Sequence, residues 1–464
     1  MLKTKPSPRL ISLIVALSFF MEAVDTTVIN TAIPVMAKSL QVDPVDLKVA
    51  LISYLLSLAI FIPISGWLSD KFGAKRVFLS ALCIFTLSSL ACGFANNLTQ
   101  LILARFLQGL GGALGLPVGR LILVRTFGRE HMISTMNTVV MVGAIGMMLG
   151  PVIGGVITHY FSWQWIFWVN IPVGLLAIVL AFFYLHSEKL EPVHPLDSLG
   201  FILFGVSLAG FTFGLSALSE TSITHRTAIS VLLGALLLLI AYSHHSKKQA
   251  HPIVKMDLLQ LRTFRVSVMG NLFSRLGFGG MPFLIPLFLQ IILGKSPQFS
   301  GLLLAPMALG IVLGKPCTLF FLRLLGYKKF LMINTITAGL VIVVFASINS
   351  STSSYAIGFL TFLYGFILTL QYGAMNSLAY ADLSAHDLSS ATSIISTLQQ
   401  IAQSFGVAVS ASMIHLFSYL FTTELSARVF HYTFVAMGCL TLLSIVIFIP
   451  LKSEDGAQMI TERT

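Results

Sequence analysis

LISLIVALSFFMEAVDTTVINTAI, residues 10–33, is the stretch that decides the fold of this chain. The run is longer than the roughly 20 apolar residues that a helix needs to cross a bilayer. Three basic residues precede it, as they precede the apolar core of a signal peptide. The run is too long for such a peptide and carries Glu22 and Asp25, so we expect it to remain as a first membrane span.

The composition is that of a membrane protein. Of 464 residues, 56% are hydrophobic and only 10% are charged, whereas soluble domains carry about 25% charged residues. The formal net charge is +11, but the basic residues are scattered through short loops without aromatic neighbours, which argues against a nucleic-acid partner. The four cysteines lie inside apolar segments without CxxC spacing, so we expect them to serve as packing residues.

Thirteen further apolar runs follow the first, and each predicts a helix that crosses the membrane. They lie at residues 47–67, 77–94, 98–124, 134–157, 163–185, 199–218, 227–242, 266–293, 299–320, 330–348, 355–378, 391–417 and 432–449. Fourteen spans place both ends of the chain on one side. A cytoplasmic N-terminus puts most of the 28 Lys and Arg residues on that side, as the positive-inside rule requires. The sequence therefore predicts an all-α polytopic membrane protein with cytoplasmic termini.

The spans divide into six, two and six. The largest basic cluster lies in the loop after the eighth span, at Lys247, Lys248, Lys255, Arg262 and Arg265. Such a cluster favours a cytoplasmic linker between two halves. We expect an N-terminal six-helix half at residues 1–190, two additional helices with the basic linker at 191–262, and a C-terminal six-helix half at 263–464.

Two cytoplasmic loops repeat one another. The loop after the second span reads DKFGAKR, residues 70–76, and the loop after the tenth reads RLLGYKK, residues 323–329. The glycine and both basic residues keep their spacing. Two six-helix halves related by a parallel repeat are the arrangement of carriers with a central site.

The first loop belongs to a longer motif, GWLSDKFGAKR, residues 66–76. Gly73 permits a sharp reversal there, and Asp70 can face a helix N-terminus. The alternative is a plain basic loop that obeys the positive-inside rule through Lys75 and Arg76.

Two further motifs lie inside spans. In RFLQGLGG, residues 105–112, the permanent charge of Arg105 requires either a partner or a route to the surface for its side chain. In GMMLGPVIGG, residues 146–155, three glycines four residues apart form one smooth helix face that another helix can approach, and Pro151 predicts a kink. Such glycine-rich packing also occurs in membrane bundles of other functions.

Together with Glu22 and Asp25, these patterns resemble the major facilitator superfamily, specifically its fourteen-span drug:proton antiporters of the EmrB/QacA type, over nearly the whole chain. Within that family, the chain is most similar to the MdtD-like branch of multidrug transporters. The similarity lies in three stretches that begin at residues 107, 117 and 170, namely LQGLGGA, PVGRL and NIPVG. The resemblance implies an exporter with two six-helix halves and two extra central helices.

The resemblance also implies roles for individual residues. Asp25 and Arg105 would take part in proton coupling. The motif that begins at residue 66 would act as a conformational latch, through Gly66, Asp70, Gly73, Lys75 and Arg76. The glycine-rich motif would be the antiporter signature, through Gly146, Gly150, Pro151, Gly154 and Gly155. Glu22 departs from the family pattern, in which a neutral residue is more typical, and we add it to the proton-coupling candidates.

The depths of two charges suggest a contact. Asp25 and Arg105 each lie about two helical turns from the predicted outer end of their span. We therefore expect a membrane-embedded pair in which a proton on Asp25 competes with its arginine.

A second set of polar residues predicts a substrate cavity. Arg275 lies well inside the ninth span, beside a Gly- and Pro-rich bend. Its side chain either lines a cavity or extends to the membrane surface. Gln400 and Gln403 belong to a polar stripe on the thirteenth span that faces a cavity or a partner helix. We add Asn30 and Gln108 to these candidates.

The chain has no GxxxxGK[ST] loop, which disfavours a pump driven by ATP. His244, His245 and His251 lie in a basic loop without carboxylate or thiol neighbours, so we expect no metal. We expect that the protein is not an enzyme and needs no cofactor. We expect a monomeric carrier in the bacterial inner membrane that uses the proton gradient to export drugs or other small amphiphilic compounds. The alternatives are an exporter of an endogenous anionic metabolite or metal chelate and, less favoured, a channel or a membrane sensor.

Overall fold

A computed structural model describes residues 8–186, 193–218, 224–384, 387–421 and 425–461. The regular secondary structure of these residues is entirely helical. The α-helices are α1 Pro8–Leu40, α2 Lys48–Phe61, α3 Ser65–Phe72, α4 Ala74–Gly93, α5 Leu98–Tyr160, α6 Trp165–Trp168, α7 Asn170–Tyr184, α8 Ser198–Ala217, α9 His225–Ser246, α10 Arg262–Phe278, α11 Met281–Leu287, α12 Pro297–Val344, α13 Ser354–Ala379, α14 Leu388–Phe421, α15 Ala427–Leu443 and α16 Gln458–Thr461. Short 3-10 turns join α2 to α3 and extend α12 and α15, and a π-helix follows α11.

Thirteen helices in the described part of the chain are long and apolar enough to cross a membrane. One of them, Pro297–Ser347, has 51 residues and covers two predicted spans. It is interrupted at Gly326, whose φ of 69° lies in the left-handed region that favours glycine. A straight helix of that length would measure more than twice the roughly 30 Å of hydrocarbon, so it accounts for two crossings. The all-α polytopic fold is thus confirmed.

Helix α5 covers two predicted spans, at residues 98–124 and 134–157. Its backbone is helical for 63 residues without a gap. Gly119 and Gly143 nevertheless both approach Phe19 of α1. On a straight helix these glycines would be about 36 Å apart, so α5 must fold back between them. The prediction of two crossings agrees with this geometry.

The residue contacts divide the chain into two compact units. One comprises Met1–Leu196 with Ser296–Gly301, and the other comprises Asp197–Lys295 with Leu302–Thr464. The two extra helices, α8 and α9, pack on each other and group with the second unit, where α8 also contacts α14. The hydrophobic core of the first unit lies among α1, α2, α4, α5 and α7, whereas a core cluster of the second lies among α10, α12, α13 and the segment after α15.

The two repeated loops have matching backbone geometry. Gly73 and Gly326 have φ values of 89° and 69°, and each reverses the chain at the junction of two helical segments. Two residues beyond each glycine, a lysine ammonium donates to a backbone carbonyl. Lys75 donates to Phe182 near the end of α7 at 2.8 Å, and Lys328 donates to Ile449 after α15 at 2.9 Å. The sequence repeat therefore corresponds to a repeated structural device.

Candidate functional site

Asp25 of α1 and Arg105 of α5 form a buried ion pair in the first unit. The Nη1 atom of Arg105 lies 2.6 Å from Oδ2 of Asp25, and both side chains are almost fully excluded from solvent. The predicted contact between them is confirmed, while their part in proton coupling stays a prediction. Removal of one partner from such a pair leaves a buried charge and typically costs about 3–5 kcal/mol.

Two amides complete the surroundings of the Asp25 carboxylate. Gln108 donates from Nε2 to Oδ1 of Asp25 at 2.8 Å, and Asn170 donates from Nδ2 to the same oxygen at 2.9 Å. Both amides also donate to the hydroxyl of Ser89 on α4. The carboxylate is thus held by residues from α5 and α7, and a shift of either helix changes the bonds that favour its ionised form.

The guanidinium of Arg105 is held by more than its charge partner. Nη1 also donates to Oε1 of Gln108, the residue one turn along α5. Cζ lies 4.2 Å from the centre of the Tyr54 ring, which comes from α2, and 5.7 Å from the ring of Phe167. Aromatic rings stabilise a desolvated guanidinium through their quadrupole. Helix α2 is therefore in direct contact with the ion pair.

Glu22 lies one turn before Asp25 and is buried on the same side of α1. A Cβ built at Gly112 of α5 would approach the Glu22 carboxyl carbon to 3.3 Å. Glu22 also lines a small cleft, together with Ser18, Gly111 and Gly115 among others. The glycines of α5 make room for this carboxyl group, which the motif alone did not reveal.

The predicted latch residues differ in their contacts. Asp70 accepts a hydrogen bond from Nη2 of Arg125 at 3.0 Å, in a pair that is largely exposed to solvent. Gly73 ends α3 and precedes α4 with its positive φ, and Arg76 is exposed. An added Cβ at Gly66 would meet no atom within 4 Å, so packing imposes no constraint there. Arg125 was not among the residues predicted for the latch.

The glycines of the predicted antiporter motif pack against α1. Gly146 lies against Phe20 and Ala23, and an added Cβ at Gly150 or Gly154 would overlap atoms of α1. The predicted smooth face and its close helix partner are therefore confirmed. Gly155 points elsewhere, toward Pro297 and Gln298, and the carbonyl of Pro151 accepts a hydrogen bond from Thr31 at 3.4 Å. The helix that carries Asp25 thus rests on this motif.

Arg275 of α10 occupies the interior of the second unit. Its Cζ lies 3.5 Å from the centre of the Tyr372 ring, and its Nη1 lies 3.4 Å from Oε1 of Gln403. Gln403 also donates to the carbonyl of Gly279 at 2.6 Å. Arg275 and Gln403, which the sequence placed in one cavity, are indeed in contact; a substrate role stays a prediction for both.

The other cavity candidates are distributed between the units. Gln108 is fully buried beside Asp25 in the first unit, so it belongs to the ion-pair network. Asn30 is half-buried on α1, and Gln400 is half-buried on α14 of the second unit. The structure therefore joins only part of this set, and the proposed cavity role of Asn30 and Gln400 stays a prediction.

Three residues of the ion-pair network had no assigned role in the sequence analysis. Ser89 and Tyr54 lie in apolar helices that carry other small polar residues, a pattern that gives no indication of a partner. Asn170 begins the NIPVG stretch, which served only to identify the branch. Its position inside the apolar span predicted at residues 163–185 is the one signal that could have suggested a buried amide.

Comparison with known proteins agrees with this architecture. The family model described as the Major Facilitator Superfamily matches residues 15–407 and also 267–459. Multidrug resistance protein MdtD of Salmonella heidelberg (strain SL476), whose name is provisional, is 34% identical over 453 residues, which cover 97% of this chain and 96% of that protein. The protein of the same name from Salmonella typhi matches with the same identity and coverage.

Solved structures of transporters share the fold. The D-xylose-proton symporter superposes with a TM-score of 0.70 at 13% identity and covers 97% of this chain and 99% of its own. The POT family transporter PepTSo superposes with a TM-score of 0.72 at 15% identity and covers 99% of both chains. From the family match along its length and from its relatives, this chain belongs to the Major Facilitator Superfamily and is a multi-pass membrane transporter.

Proposed function

We propose that this transporter is a proton-coupled antiporter that exports drugs or other small amphiphilic compounds by alternating access. The observation that carries the proposal is the buried pair between Asp25 and Arg105. Buried charges in a membrane are costly and mark ion or proton pathways. The multidrug resistance names of the relatives support a drug-like cargo. We further propose that it works as a monomer in the bacterial inner membrane with both termini in the cytoplasm, and that it needs no cofactor.

The pair suggests how a proton could be exchanged for cargo. While Arg105 and the amides of Gln108 and Asn170 contact the Asp25 carboxylate, its ionised form is stabilised. A motion that separates α1 from these donors leaves a carboxylate in an apolar surrounding, which favours the protonated form. Proton uptake and release would then follow the movement of α1.

The contacts of α1 support such a link. One side of the helix carries Asp25 toward Arg105, and another rests on Gly146, Gly150 and Gly154 in the returning part of α5. Glycine faces let helices approach and shift with little steric resistance. The antiporter motif would therefore determine the positions that α1, and with it the proton site, can take.

The decisive experiment is transport with Asp25→Asn in proteoliposomes with an imposed pH gradient. We expect cargo-driven proton movement and gradient-driven export to be lost, while binding of the cargo is retained. Asp43→Asn, a carboxylate in the loop between α1 and α2, is the matched control and should transport normally. Full gradient-driven export by Asp25→Asn would overturn the assignment. Flux that neither saturates nor responds to the gradient would indicate a channel.

A second candidate function has the same fold and an anionic cargo, either an endogenous metabolite or a metal chelate. The buried guanidinium of Arg275, which stacks on Tyr372, favours it. Proton release that depends on the compound, measured in inverted vesicles with cationic and with anionic amphiphiles, separates the two candidates.

A further inference from the structure

Arg275 is a buried cation held by neutral groups. Only 9% of it is exposed, and its guanidinium lies over the ring of Tyr372 and donates to the amide oxygen of Gln403. Its Nε atom is buried and has no hydrogen-bond partner among the described residues. Arg105 in the first unit, by contrast, has a carboxylate at 2.6 Å. A charge removed from water without a counter-ion is costly, which indicates that an anion completes the site.

The surroundings of Arg275 form two polar layers on three helices. Each helix contributes one residue to each layer, four positions apart, which is about one helical turn. The layers are Arg275, Tyr372 and Gln403, and then Asn271, Asn376 and Gln399. In the second layer, Gln399 donates to Oδ1 of Asn376 at 2.8 Å, and Asn271 approaches the same oxygen at 3.5 Å. Helices α10, α13 and α14 thus share one continuous polar seam.

This seam has unused hydrogen-bonding capacity and partial access. Oδ1 of Asn271 is buried without a partner in the described structure, as is Nε of Arg275. Tyr372, Asn376 and Gln399 are only partly buried, so the packing of the second unit does not fully enclose the layers on their side. Phe278, whose ring centre lies 5.3 Å from that of Tyr372, adds an apolar wall.

We propose that this two-layer site binds the carboxylate of the transported molecule, with Arg275 as the charge partner and the amides of the second layer as orienting groups. The inference deepens the proposed function, since it rests on the chain being an exporter and names the cargo as an anionic amphiphile with an apolar or aromatic body. A guanidinium pairs with a carboxylate through strong charge-assisted hydrogen bonds, and the loss of such bonds lowers affinity about tenfold or more.

The test measures equilibrium binding of two probes with one skeleton, 1-naphthaleneacetate and 1-naphthaleneacetamide, to the purified full-length protein without any pH gradient. We expect the carboxylate to bind about tenfold more tightly than the amide, and Arg275→Gln to abolish that preference. Arg275→Lys should retain part of it, because the charge stays while the planar donor geometry is lost. Lys315→Gln, which removes an exposed lysine on α12, is the control and should keep the wild-type ratio.

A second variant guards against misfolding of Arg275→Gln. Asn376→Asp keeps the arginine and adds a fixed carboxylate to the second layer, so the preference for the anionic probe should fall or reverse. Equal affinity of the wild type for both probes, absence of carboxylate binding, or an unchanged ratio in Arg275→Gln would overturn the proposal. Loss of proton coupling is measured separately with Asp25→Asn, so failure of either proposal leaves the other distinguishable.

Discussion

Arg105 donates to Asp25 across 2.6 Å, although 80 residues separate them along the chain. The two residues lie on α1 and α5. The sequence alone places them at about the same depth in the membrane. Their contact satisfies two charges that would each be costly alone in hydrocarbon. A proton on Asp25 would compete with this interaction, and the proposed coupling rests on that competition.

Replacement of Arg105 should change the pH dependence of transport. In Arg105→Gln the Asp25 carboxylate loses its charge partner, so the midpoint of the pH profile of export should differ from that of the wild type. The rate of export in proteoliposomes is measured from pH 5 to 9.

Arg125→Gln, which removes the exposed partner of Asp70, is the control and should alter the rate without moving the midpoint. The double variant Arg105→Gln with Asp25→Asn should show the same transport defect as Asp25→Asn alone, because the two residues act as one unit. If Arg105→Gln leaves the pH profile unchanged, the pairing does not participate in coupling.

Loss of the Asn170 amide should weaken the network without removing a charge. Asn170→Leu eliminates the donor to Asp25 at 2.9 Å and the donor to Ser89 at 3.2 Å. Both acceptors keep a bond from Gln108, so the loss is that of two hydrogen bonds of about 1 kcal/mol each, and the melting temperature in detergent should fall. Asn96→Leu, at an exposed position, should have little effect, and equal melting temperatures for both variants would contradict the proposed importance of the amide.

A single methyl group should distinguish two glycines. In Gly154→Ala the methyl would overlap the carbonyl of Val28, a backbone atom that cannot rotate away, so α1 and α5 must separate. Overpacking of this kind costs about 1–3 kcal/mol, and we expect lower thermal stability together with slower transport. Gly66→Ala meets no atom within 4 Å and should be neutral or slightly stabilising. Identical behaviour of the two variants would refute the close packing of α1 on the glycine motif.

The contribution of Asp455 should depend on pH. Burial raises the pKa of Asp455, but hydrogen bonds from Arg262 and from the backbone N–H of Lys452 outweigh this effect, so its pKa lies below the ordinary value. A depressed pKa contributes stability above the unfolded-state value of about 3.9, and this contribution disappears as the pH falls through the folded-state value.

The melting temperature of Asp455→Asn should therefore lie below that of the wild type at pH 7 and at pH 5, and the difference should shrink below about pH 4. Asp257→Asn, in the loop before α10, serves as the control. A difference that persists unchanged at acidic pH would show that the Asp455 contacts act by packing instead of charge.

Much of this protein follows from local sequence. The spans, the repeat of residues 70–76 at 323–329 and the glycine face of residues 146–154 are properties of short stretches, because membrane crossing, loop reversal and helix contact depend on composition and spacing. The two repeated loops also share a positive φ, at Gly73 and at Gly326. The sequence also indicated that Asp25 and Arg105 lie at one depth.

Tertiary structure alone decided which residues complete each polar site. Asn170, Ser89 and Tyr54 join the Asp25 pair from three other helices, and the spacing within any one helix does not encode that meeting. The same holds for the seam around Arg275, where a four-residue repeat on each of three helices becomes a site only once those helices pack in register. Hydrophobic runs determine that helices cross the membrane, but partners are selected by helix packing, a property of surfaces brought together across the whole chain.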